Sequence, residues 1–155
     1  MPIDIGHPFP DFALKDQAGG TVSLDDFANS RLIMFFYPKA MTPGCTTEAC
    51  DFRDNYGAFI DAGFAVVGVS PDPPSLNADF KQKEGLSFPL LSDEDHALAA
   101  AVGAWGLKQN YGREYEGLIR STFVIGQGGL LEAAYRNVRA KGHVARLTRE
   151  LLGAG

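Results

Sequence analysis

The sequence predicts an α/β fold: a mixed sheet with helices on both faces, preceded by a β-hairpin. Three observations lead there. Residues 32–37 and 64–69 read as strands that are apolar on both faces, and a long helical pattern separates them. Glycine-bearing turns at Gly19-Gly20 and at Gly126-Gln127-Gly128-Gly129 each divide a pair of alternating apolar segments. An amphipathic pattern over 143–152 closes the chain.

Taken in order, residues 11–24 form the first hairpin, with Phe12 and Leu14 facing Val22 and Leu24 across the glycine turn. Residues 32–37 are a buried strand. A helix follows over 42–62 and stops at Gly63, and 64–69 returns as a second buried strand. Strand, helix and strand of these lengths imply a parallel βαβ unit. Residues 75–84 form a helix ended by Gly85. Residues 88–91 form a short strand, where Pro89 demands an edge or a strand start. A helix over 92–102 is signalled by the spacing of Ser92 and Asp95, with Gly103 as its stop. Residues 122–125 and 130–135 make the last hairpin, and Val144, Leu147 and Leu151 share one face of the closing helix. Pro8-Phe9-Pro10 and Pro71-Asp72-Pro73-Pro74 are turns too short to separate domains. The order fits a thioredoxin-like α/β fold, expected as one domain over 1–155.

Composition narrows the function. The 155 residues are 45% apolar and 21% charged, enough for a core without metal or disulfide staples. No apolar run exceeds six residues, against about 20 for a membrane helix, so no membrane partner is expected. The opening Met1-Pro2-Ile3-Asp4 shows no secretory pattern. A reducing, cytoplasmic setting follows, in which a disulfide would be transient. The net charge of −5 argues against nucleic acid as a partner. Residues 131–155 nevertheless hold five Arg/Lys against two Glu, a net +3, read as a solvated basic helix.

The chemistry concentrates at the start of the long helix. With Thr42 as N-cap, Pro43 takes the first helical position and Cys45 the third. Free N–H groups and the positive end of the helix dipole favour an anion there, and the thiolate is the reactive form of cysteine. Gly44 leaves the backbone open to close approach. Helical phase places Ala49, Phe52, Tyr56, Phe59 and Ile60 on Cys45's inward side. It turns Cys50 away, toward Asp54 and Asp61. At positions i and i+5 the two Cα atoms would lie about 8.7 Å apart on an ideal helix. A disulfide rarely exceeds about 6.8 Å, so a bridge would require the first turns to unwind. Close cysteine pairs with further Cys or His partners, as a metal would need, are not evident, and C-x-x-C is absent. Composition alone leaves Cys/His acyl transfer open. His7 reads as a surface site, His96 as part of a helix first turn, His143 as a helix start, and Trp105 as packing.

The motif Pro38-x-x-x-Thr42-x-x-Cys45 resembles the active-site signature of peroxiredoxins, and the stretch FYPKAMTPGCTTEACDFRD over 35–54 resembles the bacterioferritin-comigratory, or Q-type, branch. The likeness extends through Gly6-x-x-x-Pro10-x-Phe12-x-Leu14, through Phe88-Pro89-Leu90-Leu91-Ser92-Asp93, and from Tyr111-Gly112-Arg113 to Arg120-Ser121-Thr122-Phe123. Ala40-Met41 and Gly126 depart from it, where acidic or polar residues and an aspartate are more usual. The resemblance implies peroxiredoxin architecture and peroxide reduction without a cofactor or metal. It casts Cys45 as the peroxidatic cysteine, Thr42 as the hydroxyl that holds the peroxide, and Pro38 as the shield against water. Arg120 would stabilise the thiolate, Glu48 would orient that arginine, and Cys50 would resolve the sulfenic acid as an intramolecular disulfide. A thioredoxin- or glutaredoxin-like reductant would complete the cycle, and a monomer would suffice for it. Two other readings remain: a redox sensor switched by a Cys45–Cys50 disulfide, and a general thiol–disulfide oxidoreductase.

Overall fold

The computed structural model describes residues 3–110 and 112–153, with 109 and 110 as backbone only. Tyr111, part of the late segment of the resemblance, lies outside the described residues, as do Met1 and Pro2.

The first hairpin pairs β1 (Ala13–Asp16) with β2 (Thr21–Ser23), and Leu14 sits opposite Val22. Gly19 turns the chain at φ +88°, a conformation that costs glycine little. A 3₁₀ turn over Leu24–Phe27 follows. Then come β3 (Arg31–Phe36), α1 (Pro43–Asp61) and β4 (Phe64–Ser70), and β3 and β4 pair in parallel as the βαβ pattern requires. Next are α2 (Pro74–Glu84), β5 (Leu90–Ser92) and α3 (Ala97–Val102). The chain continues as β6 (Trp105–Asn110), β7 (Arg113–Leu118), β8 (Ser121–Ile125), β9 (Leu131–Tyr135) and α4 (His143–Leu152). Among the described residues seven strands form one mixed sheet, in the order β2-β1-β5-β4-β3-β8-β9.

Strand alternation distributes β3 between two cores. Ile33, Phe35 and Tyr37 join Phe52 and Phe59 of α1, Phe80 of α2 and Val144 and Leu147 of α4 on one face. Leu32, Met34 and Phe36 join Phe9, Phe12 and the α3 residues Leu98, Ala99 and Val102 on the other. Phe35 and Phe52 stack with centroids 4.4 Å apart, which fixes α1 over the sheet. Full burial of such a ring stabilises by about 1.5–3 kcal/mol.

Three local expectations are corrected. The helix read over 92–102 starts only at Ala97, because Ser92 stays in β5 and pairs with Ser70 and Lys15. Asp93 supplies the cap from outside: its carboxylate accepts from the N–H groups of Leu98 (3.2 Å) and Ala99 (2.9 Å). The strand read over 88–91 begins after Pro89, whose carbonyl accepts from the Gly68 N–H at 3.1 Å. Ile60, placed on the inward side by helical phase, is 44% exposed, because the buried stripe of α1 runs through Phe52 and Phe59 and leaves Ile60 at its edge. The antiparallel β6–β7 ribbon is not predicted. Its second strand is mostly exposed and carries Arg113, Glu114 and Glu116, so it shows no apolar alternation.

Candidate active site

The site forms where β3 ends, the 37–42 loop turns, and α1 begins. Thr42 occupies the N-cap position with extended backbone, Pro43 the first helical position and Cys45 the third. The Thr42 hydroxyl does not cap the helix; it donates to the Lys39 carbonyl at 2.8 Å. Its oxygen lone pairs are therefore left to accept. Pro38 opens the loop, half-buried, and Cys45 is 1% exposed.

Arg120, between β7 and β8, crosses 75 residues of sequence to reach this point. Its Nη2 donates to Cys45 Sγ at 3.3 Å, and its Nη1 donates to Glu48 Oε1 at 2.6 Å. Glu48 lies one turn along α1 from Cys45, so one guanidinium spans both. The planar fork does so with two separate nitrogens held at fixed geometry. Gly44 eases the approach: a Cβ there would lie 3.3 Å from Arg120 Nη2, a tight contact, and 3.9 Å from Ala140 Cβ. The bare backbone admits the guanidinium to the first helical turn.

Glu48 is fully buried, and among the described residues its Oε2 has no hydrogen-bond partner. Burial pushes its carboxyl up to about 7, although Arg120 pulls the other way by charge and by hydrogen bond. Burial also works against the Arg120 charge, but Glu48 and Cys45 outweigh it and raise the guanidinium further. The site thus holds a fixed cation beside the sulfur, and next to it a carboxyl poised to titrate near neutrality.

Cys50 faces elsewhere, as helical phase predicts. It is half-buried against the end of α2, where its thiol donates to Glu84 Oε1 at 3.5 Å. Arg53 Nη1 donates to the Glu84 carbonyl at 2.6 Å and fastens the same stretch of α1. Burial, first, and then the Glu84 and Asp54 carboxylates push the Cys50 thiol up against the opposing pull of Arg53. Both cysteines are free thiols and α1 is continuous through them.

The structure brings Arg120 into contact with both Cys45 and Glu48 and sets Pro38 and Thr42 on the loop that leads into α1; it does not bring Cys50 to Cys45. Trp105 stacks on His96 (3.7 Å, 3°) against the core face opposite to Cys45. His7 is exposed, and His143 is buried, bonded to Thr122 Oγ1 at 2.8 Å. Absent from the predicted set is Asp72, whose Oδ2 accepts from the Ala40 N–H at 2.7 Å. Only its place in a proline-rich turn after a buried strand marked it.

Comparison with known proteins shows the family of the chain. The model of the AhpC/TSA family matches residues 5–134. The chain belongs to the AhpC/TSA family. It is 47% identical over 151 residues to peroxiredoxin Bcp of Bacillus subtilis, covering 97% of this chain and 96% of that protein. It is 43% identical over 142 residues to peroxiredoxin Bcp of Escherichia coli, covering 92% and 91%. The Xanthomonas campestris bacterioferritin comigratory protein, solved as trapped intermediate and ligand complexes bearing on its alkyl peroxide reduction activity, superposes with a TM-score of 0.89. The two share 35% identity over 97% of this chain and 98% of that one. Family membership makes this chain a peroxiredoxin of thioredoxin-like fold, a thiol peroxidase that takes peroxide and a thioredoxin-type reductant. Among the described residues no helix is long and apolar enough to cross a membrane.

Proposed function

We propose that Cys45 is the peroxidatic cysteine of a cytoplasmic, monomeric enzyme folded as one domain over 1–155, acting on hydrogen peroxide and organic hydroperoxides in antioxidant defence without nucleic-acid or membrane partners. The observation that carries the assignment is the Arg120 guanidinium at 3.3 Å from Cys45 Sγ, at the third position of α1. Cys45 attacks as thiolate: an S–O bond forms, the O–O bond breaks, and the leaving oxygen takes a proton to become water or an alcohol. Arg120 is placed to donate to that oxygen as charge gathers on it, and a preorganised donor lowers the barrier because it need not reorient. Thr42 Oγ1 accepts from the incoming peroxide O–H, Pro38 restricts water, and Glu48 holds Arg120 in register.

Cys50 then resolves the sulfenic acid. Its sulfur attacks Cys45, an S–S bond forms, the S–O bond breaks, and the thiol proton leaves with the hydroxide as water. Because Cys50 is docked on Glu84, the first turns of α1 unwind to deliver Cys45. A thioredoxin- or glutaredoxin-like dithiol restores both. Mass spectrometry after peroxide treatment tests the scheme. Wild type should lose two hydrogens as a Cys45–Cys50 bridge. C50S should stop at a Cys45 sulfenic acid and overoxidise, and C45S should not react. Peroxide consumption by C45S, or unchanged cycling by C50S, would reject the respective role. Sustained turnover with a reductase separates the enzyme from a redox sensor that reacts once.

A further inference from the structure

The loop that carries the reacting end of the site is held in a demanding shape. Met41 adopts φ +65°, a left-handed conformation that few non-glycine residues take. Such a residue is strained and persists only where its surroundings over-determine it. One restraint is local, the Thr42 hydroxyl donating to the Lys39 carbonyl. Another comes from the turn that follows β4. Ala40, 6% exposed, donates its N–H to Asp72 Oδ2 at 2.7 Å, and Asp72 is itself 8% exposed. A bond to an ionised acceptor is shorter and stronger than a neutral one.

Asp72 is in turn built into the sheet. Its N–H donates to Ser70 Oγ at 3.3 Å, and Ser70 Oγ donates to Asn77 Oδ1 at 3.2 Å. The Tyr37 hydroxyl donates to the same Asn77 oxygen at 2.6 Å. The Asn77 amide nitrogen donates to Ser92 Oγ at 3.2 Å. Tyr37, Ser70, Asn77 and Ser92 are buried, so a network linking the end of β3 with β4, α2 and β5 anchors the Asp72 backbone, whose carboxylate holds the loop.

We propose that Asp72 is a positioning residue for peroxide reduction: through the Ala40 N–H it holds the 38–42 loop in the shape that sets Thr42 and the first turn of α1 against Arg120. Resting on Cys45 as the reacting sulfur, the assignment makes two opposite demands. Releasing the loop slows the oxidation of Cys45, which needs the loop in place. It does not slow the disulfide step, which needs the adjoining turns to come apart. A merely structural role would slow both and would not separate them.

Rapid quench with a sulfenic-acid trap, followed by mass spectrometry, measures the two steps in wild type, D72A and D72N. Cys45 oxidation should fall by about tenfold to a hundredfold in D72A, the range for a lost hydrogen bond to a charged group. D72N keeps an acceptor oxygen but loses the charge, and should fall between wild type and D72A, clearly faster than D72A. Conversion of sulfenic acid to disulfide in D72A should proceed at the wild-type rate or faster. Wild-type oxidation in D72A, a D72N as slow as D72A, or a parallel fall in both steps overturns the proposal. Should D72A fail to fold, hydrogen exchange in folded wild type decides: a protected Ala40 amide supports the bond, and rapid exchange refutes it. Failure of wild type itself to form a Cys45 sulfenic acid would instead remove the assignment of Cys45.

Discussion

Gly44→Ala separates stability from activity at one atom. The added Cβ would sit 3.3 Å from Arg120 Nη2, closer than most carbon neighbours allow, while Gly44 itself has no left-handed φ to forbid alanine. The guanidinium has little room to yield, because Nη1 is pinned to buried Glu48 Oε1 at 2.6 Å. The give must come from the 3.3 Å contact between Nη2 and Cys45 Sγ, which lengthens by a few tenths of an ångström. A hydrogen bond to a charged group contributes about 1.5–3 kcal/mol. Losing about 1 kcal/mol of it slows Cys45 oxidation by roughly fivefold. The helix gains alanine's better propensity, about 0.5–1 kcal/mol, which the tight contact partly offsets. Stopped-flow peroxide oxidation at limiting peroxide and urea unfolding of the reduced protein give the two numbers. The expected pair is slower oxidation with stability equal to or above wild type. Oxidation at the wild-type rate would show that Arg120 has slack, and that its contact with the sulfur does not set reactivity.

Two titrations give opposing slopes of stability with pH. The Glu48 carboxyl rises from 4.5 to about 7 on folding, so its contribution is complete below the lower value and is lost as pH climbs through the upper. His143 falls from 6.5 to about 4, chiefly by burial and then by Arg146 and Arg120. Its unfolded form therefore binds more protons between those values, and stability drops as pH falls through the window. Each effect is on the order of 2–3 kcal/mol, so they largely cancel in wild type. Urea midpoints between pH 4 and 7 should fall toward acid in E48Q and toward neutrality in H143Q; flat profiles in both would refute the pair. ¹³C NMR of labelled glutamate should show one carboxyl titrating near pH 7, and E48Q should erase it; a wild-type protein without that resonance contradicts the burial argument. Glu84 restrains Cys50, since its carboxylate disfavours the thiolate 3.5 Å away. E84Q should speed disulfide formation about two- to fivefold near neutral pH with Cys45 oxidation unchanged; a slower disulfide step would reverse the role assigned to Glu84.

What the sequence revealed follows from how locally each feature is encoded. The βαβ unit was legible because β3 and β4 are apolar on both faces and Gly63 and Gly85 end helices by themselves. The position of Cys45 in α1 followed from Thr42 and Pro43 alone. Arg120 was not derivable from spacing, since it reaches Cys45 across 75 residues; the motif resemblance supplied it. Asp72 stood out only by its proline-rich turn, because its contact is with a backbone N–H of the neighbouring loop, and no side-chain pattern records such a partner. The start of α3 misled for a related reason. Ser92 and Asp95 form a plausible local cap, but strand pairing claims Ser92 first.

The stack of Phe52 on Phe35 lies two residues beyond Cys50 and roots the remainder of α1 in the sheet. Any rearrangement that carries Cys45 to Cys50 can therefore end at that ring pair, leaving everything downstream as an unmoving chassis. Catalytic tempo and thermal endurance would then be written in separate parts of the chain. Selection, or an engineer, could harden the aromatic layer without braking the cycle, and could retime the cycle by editing only the few residues ahead of it.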